Sequence, residues 1–191
     1  ADEIYAVASA AVGWVDVWLM DALGASEATH LAMRAAVTAL ASTARDGAID
    51  GPGWHARRAS GVARSAEILL IDGYPIANPP APQRAIVRGD RECLAIACAS
   101  LVAKVARDAY MTALAHPFPA YGFDRNVGYG TREHFGALMT HGLTPLHRRR
   151  FQPMRHLDRC TRVQAPALPP PTRTSRTSEG QLGFLDGWDA R

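Results

Sequence analysis

The spacing of apolar positions changes several times along the chain, and each change marks an element. Residues 2–9 carry the end of a helical pattern. Ala10 to Val17 is strand-like, with Val12, Trp14 and Val15, and "DVWLMDALG" follows as a short helix stopped by Gly24. Ser26 is placed to cap the next helix, an Ala-rich stretch bearing Leu31, Val37 and Leu40. Periodicity is then lost. Residues 43–64, "TARDGAIDGPGWHARRASGVAR", are rich in Gly and Arg and read as an exposed loop. Order returns at Ile68–Ile71, a continuous apolar run that predicts a buried strand leading straight into Asp72. A Pro-rich loop and a short strand, "RAIVRG", precede Asp90, which is placed to cap a long helix ending near His116-Pro117. Residues 117–131 read as a Gly/Pro/aromatic loop, and Thr131 caps a further helix through about Thr140. Strands alternating with helices predict an α/β layered domain.

Two features of this pattern carry candidate chemistry. Asp72 stands where a strand leaves the core, either capping a turn or holding a metal. In the long helix, Leu94, Ala97, Cys98, Leu101, Val102 and Val105 mark the expected buried stripe. Ser100, Lys104 and Asp108 recur every fourth residue and so form a second line, since a step of four turns only about 40° further round. That line is either a solvated face with one ion pair or a hydroxyl, a cation and a carboxylate turned toward one site.

Charge sharpens the second option. The net charge of +3 hides an asymmetry: residues 1–50 hold seven acidic and two basic side chains, residues 51–160 eight acidic and fifteen basic. A basic middle fits an anionic partner, although solvated arginine produces the same bias. Lys104 is the only lysine among 21 basic residues. The three cysteines form no CxxC pair, which argues against a zinc site or disulfide framework and for a reducing, cytoplasmic setting. The apolar stretch Ile4–Met20 is broken by Asp16 and lacks a basic flank, so it reads as core and no membrane association is expected. After Ala165 the chain turns to Pro, Ser, Thr and Arg. Residues 1–160 are therefore expected to form the domain and 161–191 a disordered tail.

Three blocks resemble a known family. "VRGDRECLAIACASLVAKVARDAYM" is similar to the ribonuclease HII segment written as KGD, a small-residue AAAS helix and AKV.RD. "YGFDRNVGYGTREHFGALMTHGLTPLHRRRF" looks like that family's GYGT..H and TP.HRRSF blocks, and "LLIDG" like its strand-end Asp. The match is dense over residues 66–153 and looser over 1–45, and it omits the tail. The resemblance implies a ribonuclease H-like fold, a mixed sheet flanked by helices. It implies hydrolysis of the RNA strand of an RNA/DNA hybrid, including at single ribonucleotides embedded in DNA. Four carboxylates then hold two divalent cations, Mg²⁺ or Mn²⁺. Such ions roughly 3.5–4 Å apart suit phosphodiester hydrolysis.

Carried over by position, the resemblance makes Asp72 and Asp108 catalytic metal ligands. It places Tyr129 against the sugar at the RNA–DNA junction and Ser100 and Lys104 along the substrate groove. Arg88, Arg148 and Arg149 become phosphate contacts, with structural ion pairing as their other reading. The second "IDG", at Asp50, has no apolar run before it and is set aside. Asn126-Val127 replaces a common His-Lys pair. The family also begins with a strand bearing an Asp-Glu pair and a Gly-Arg-Gly loop. Asp2-Glu3 lacks the glycines, so this sequence, which starts at Ala1, is expected to be a piece of a longer product lacking two of the four carboxylates. Its activity by itself is left open, and a non-catalytic hybrid-binding module is the alternative. Retention of Asp72 and Asp108 favours the enzyme. A monomer is expected. In the tail, Gln181, Leu182, Phe184 and Leu185 resemble the short peptide that docks bacterial sliding clamps, and a plain packing segment is the other reading.

Overall fold

Helix α1 (Asp2–Val7) leads into strand β1 (Ala10–Gly13), followed by α2 (Val17–Leu23) and the long α3 (Ala25–Ser42). The computed structural model describes residues 1–42, 47–51, 54–58, 68–152, 154, 155 and 157; for 42, 47–51 and 54–58 the description is of the backbone alone. Gly24 ends α2 at φ 87°, as its position predicts, but α3 begins at once with Ala25, so Ser26 lies inside the helix rather than capping it. Gly13 sets how closely β1 meets α3: a Cβ there would lie 2.0 Å from the Ala32 carbonyl oxygen.

The expected loop over 43–64 is corrected by two strands, β2 (Gly47–Gly51) and β3 (Trp54–Arg58). They pair antiparallel, and β3 also pairs antiparallel with β1, giving the order β1-β3-β2. The hydrogen bonds of such a ladder come from backbone groups. Glycine and arginine side chains left no alternation to reveal it. Asp50 therefore lies in a strand, opposite His55.

Strands β4 (Leu69–Asp72) and β5 (Gln83–Ile86) form a second, parallel pair. Both pairing modes of a mixed sheet are thus present, divided among the described residues between two sheets. The run expected to be buried is only half so, because along β4 the side chains alternate and Ile68 and Leu70 are exposed. Leu69 and Ile71 pack with Ile76 against Met33 and Val37 of α3, while Leu70 and Asp72 face outward. The Gln83 amide closes the intervening loop. Its Oε1 accepts from the Ile76 N–H at 2.9 Å, and its Nε2 donates to the Ile76 carbonyl at 2.8 Å.

The long helix predicted from Asp90 is two helices, α4 (Gly89–Glu92) and α5 (Leu94–Ala113), separated by the extended residue Cys93. Asp90 lies in the first turn of α4 and is not a cap for α5. The expected stripe on α5 also needs correction. Ile96 and Val102 are buried, whereas Leu94, at 80% exposure, Leu101 and Val105 are exposed. These three lie within about 40° of one another around the helix, turned away from the Ile96–Val102 side.

The C-terminal part is tightly packed. A single 3₁₀ turn (Pro119–Tyr121), α6 (Phe123–Asn126) and α7 (Arg132–His141) enclose Phe123 and Leu138, each 1% exposed, with Leu114, Tyr121, Met154 and Leu157. Thr131 caps α7 as predicted, its Oγ1 accepting from the His134 N–H at 3.2 Å. The Tyr121 hydroxyl donates to the Gly142 carbonyl at 3.0 Å, joining the two ends of this block. The tail lies outside the described residues.

Candidate functional site

Asp72 is exposed at the end of β4, and its Oδ1 accepts the Gly89 N–H at 2.7 Å. That bond draws the turn before α4 onto the strand end. Gly89 is closely approached: a Cβ would lie 2.5 Å from Ile96 Cδ1, so that side chain would have to shift, and 3.4 Å from Asp72 Oδ1. The next residue, Asp90, is exposed. The preceding residue, Arg88, is exposed in the left-handed region at φ 58°. Asp72, Gly73 and Tyr74 also line an open cleft of about 350 Å³, together with Ser26, Thr29 and His30 of α3.

Asp108 stands elsewhere. Ile96 meets the Gly89 turn, and Asp108 is twelve residues further on, about 18 Å along the helix axis. Lys104 ion-pairs with its Oδ2, and Arg107 Nη1 lies 3.3 Å from its Oδ1. The Lys104 hydrogen bond, helped by the charges of Lys104 and Arg107, holds the carboxyl below the usual carboxylate range and raises the ammonium in return. Arg107 also donates to the Val127 carbonyl at 2.9 Å, and its guanidinium sits 5.1 Å from the centre of the Tyr129 ring. Tyr129 is 53% exposed. Ser100 is exposed one turn before Lys104. The polar line on α5 therefore ends in a cluster of Lys104, Arg107, Asp108 and Tyr129.

The "HRRR" segment docks on α2. Asp21 Oδ2 accepts the Arg149 N–H at 2.7 Å, and Arg150 Nη1 donates to the Asp21 carbonyl at 2.6 Å. Arg149 is exposed, and the Arg148 guanidinium lies over the Phe151 ring at 5.4 Å. Asn126 serves the fold: its Nδ2 donates to the Tyr121 carbonyl at 2.7 Å and its Oδ1 accepts the Gly128 N–H at 2.8 Å.

Behind Tyr129 two buried imidazoles meet. His134 Nε2 and His147 Nε2 are 3.2 Å apart. His134 Nδ1 lies 3.0 Å from the Tyr129 carbonyl oxygen, and His147 Nδ1 accepts the Thr144 N–H at 3.1 Å. Burial, with His134 close by, pushes His147 down to about 4.

The donor set decides which carboxylates suit a metal. Asp72 spends one oxygen on Gly89, and the other has no partner among the described residues. Both Asp108 oxygens face cations. A ligand set of few protein oxygens suits Mg²⁺, which keeps waters and takes substrate phosphate. No group of three or more His, Cys, Asp or Glu that could hold a metal gathers among the described residues. Asp72 thus keeps one carboxylate oxygen without a partner among the described residues, whereas both Asp108 oxygens are ion-paired. Sequence reasoning missed Asp90, Arg107, His134 and His147. For Asp90 the signal was present: it is the acid of the "VRGD" run that resembles the family's KGD block.

No helix among the described residues is long and apolar enough to cross a membrane. The family model described as Ribonuclease HII matches residues 19–154. A ribonuclease HII of Cereibacter sphaeroides is 42% identical over 158 residues, covering 82% of this chain and 64% of that protein. One of Chloroflexus aurantiacus is 42% identical over 143 residues, covering 75% and 57%. One of Rhodospirillum rubrum is 50% identical over 94 residues, covering 49% and 43%. The chain thus spans less than two thirds of the length of these relatives. Its match nevertheless runs through β4, α4, α5 and the C-terminal block that carry the geometry above, and the chain belongs to the ribonuclease HII family.

Proposed function

We propose that the protein is an endonuclease that hydrolyses the RNA strand of RNA/DNA hybrids, including at single ribonucleotides embedded in DNA. The observation that carries this reading is the exposed Asp72 carboxylate, held by the N–H of Gly89, the residue that precedes exposed Asp90 in the chain. Asp72 and Asp90 are the best-supported holders of Mg²⁺ or Mn²⁺, in a site that takes two ions when complete. When bound, such ions activate the attacking water and stabilise the leaving oxygen.

The chain's own residues do the rest. The Gly89 N–H fixes the Asp72 carboxylate through Oδ1 and leaves its second oxygen without a partner among the described residues. Lys104 and Arg107, gathered by Asp108, offer positive charge to the phosphate backbone, with Ser100, Arg88, Arg148 and Arg149 as further contacts. The Tyr129 ring, backed by Arg107, stacks on the sugar at the junction. Asp108 is then an organiser of cations, in place of the metal ligand expected from sequence. The tail residues Gln181, Leu182, Phe184 and Leu185 are proposed to tether the enzyme to a sliding clamp, in a cytoplasmic monomer. Deleting residues 179–187 is expected to remove clamp binding measured by calorimetry.

Manganese titration by calorimetry tests the centre. Asp72→Asn and Asp90→Asn are each expected to abolish the binding heat, with Asp108→Asn retaining it. The reverse ranking restores Asp108 as the ligand. Cleavage of a duplex containing one ribonucleotide, assayed with each ion, separates the enzyme from a module that binds hybrids without cutting.

A further inference from the structure

The two buried histidines have roles that are fixed by their partners. The Tyr129 carbonyl can only accept, so His134 Nδ1 carries a proton and donates to it. The Thr144 N–H can only donate, so His147 Nδ1 is bare and accepts. With both rings neutral, His147 Nε2 then carries a proton and His134 Nε2 does not. These are the states that let the two Nε2 atoms bond at 3.2 Å. Thr144 Oγ1 adds a second contact to His147 Nδ1 at 2.8 Å and itself accepts the Leu146 N–H at 3.2 Å. The chain of hydrogen bonds runs one way, from the Thr144–Leu146 turn through His147 and His134 to Tyr129.

Its far end is tightly specified. The Tyr129 carbonyl also accepts the Thr131 N–H at 2.8 Å, and the Tyr129 N–H donates to the Asn126 carbonyl at 2.8 Å. Both backbone polar groups of Tyr129 are therefore held while its ring stays open to solvent. Among the described residues, titratable groups around the pair are few. Tyr121 lies 5.6 Å from His147, ring centre to ring centre, and burial raises its hydroxyl above the usual value. His141 stands beyond it, 6.1 Å from Tyr121, and Arg148, next to His147 in sequence, turns to Phe151. Phe123 covers both imidazoles, edge-on to His134 at 5.5 Å and 6.1 Å from His147.

We infer that His134 and His147 are positioning residues, a neutral imidazole relay that holds the Tyr129 backbone so that its ring meets the substrate at a set angle. The inference rests on the proposed substrate role of Tyr129. A hydrogen bond that runs in one direction has one proton arrangement: a proton added to His134 Nε2 sets N–H against the His147 N–H, and one added to His147 Nδ1 turns that nitrogen from an acceptor of the Thr144 N–H into a donor. Orientation of Tyr129 is thereby tied to the neutral state of groups with no contact to the duplex.

Long-range ¹H–¹⁵N spectra of the imidazoles in the full chain at neutral pH test the relay directly. His134 is expected as the Nδ1–H tautomer and His147 as the Nε2–H tautomer. The opposite tautomer on either ring, or a protonated ring, overturns the inference. Function is read by metal-free binding of a duplex containing one ribonucleotide. His147→Asn keeps an acceptor toward Thr144 but loses the donor toward His134. It should weaken binding about fivefold, the effect of one lost hydrogen bond. His147→Gln, which keeps that donor, should restore binding to within about twofold. In a Tyr129→Ala background His147→Asn should add nothing, and a full additional loss there overturns the inference in favour of a merely structural role. Loss in Tyr129→Ala alone, with His147→Asn binding as the unaltered chain does, overturns the relay but keeps the substrate reading. Unaltered affinity in Tyr129→Ala overturns both. Should His147→Asn fail to fold, the tautomers decide.

Discussion

The block from Tyr110 to Leu157 and the parallel pair β4–β5 with the first turns of α5 share a helix and differ in how they close. In the former, Phe123 and Leu138 are sealed by neighbours near in sequence, and Tyr121, Asn126, Thr131 and the two histidines satisfy one another. In the latter, Leu69, Ile71 and Ile76 pack on α3 as a smaller cluster; apolar side chains remain exposed in both regions, Leu70, Val87 and Leu94 here and Met139 and Phe151 there. A two-stranded pair is marginal without packing on its faces. Stability should therefore be concentrated in the C-terminal block, and chemistry at the sparsely packed strand end.

The largest test of that contrast is Phe123→Ala. Emptying a site with 1% exposure should cost about 3–5 kcal/mol, read as a lowered thermal midpoint. Acid should act on the same block. His147 is held at about 4 against an ordinary 6.5, so the unfolded chain binds the proton first as pH falls. The contribution is whole above pH 6.5 and is lost between there and about 4. It amounts to at most about 3 kcal/mol, visible in urea melts across that window. Removing the imidazole should flatten the slope. Gly89→Ala comes next. Its methyl meets the flexible end of Ile96, so the cost should be about 1–2 kcal/mol, with Mn²⁺ affinity falling as Asp72 loses its fixed orientation. Smallest is Leu94→Gln, expected within about 0.5 kcal/mol at an exposed position. A loss above about 2 kcal/mol there would mean that something covers this face of α5 in solution, and the comparison would have to be redrawn.

Sequence reading reached as far as side chains carry the signal. The strand into Asp72, the Gly24 stop, the Thr131 cap and the Lys104–Asp108 line all rest on side-chain pattern, and all stand in the structure. The hairpin of β2 and β3 was illegible because backbone ladders leave no trace in a Gly- and Arg-rich run. Asp90 was misplaced because a polar residue before an apolar helix reads as a cap, whereas the break at Cys93 detaches it. The convergence of Gly89 on Asp72 spans seventeen residues, and no periodicity reports it. His134 and His147 were passed over for the same reason: each sits in a familiar block, and only packing shows that they touch.

Gln83 acts as mechanical insulation. Its amide pairs with both main-chain groups of Ile76, as an adjoining strand would, so the Pro-rich bend beyond it hangs from a clasp. Lengthening or shortening that bend between Ala77 and Pro82 should leave the Asp72 carboxylate where it is, because the disturbance stops at the clasp. Variation in loop length and constancy of the strand-end acid can then coexist in one gene lineage.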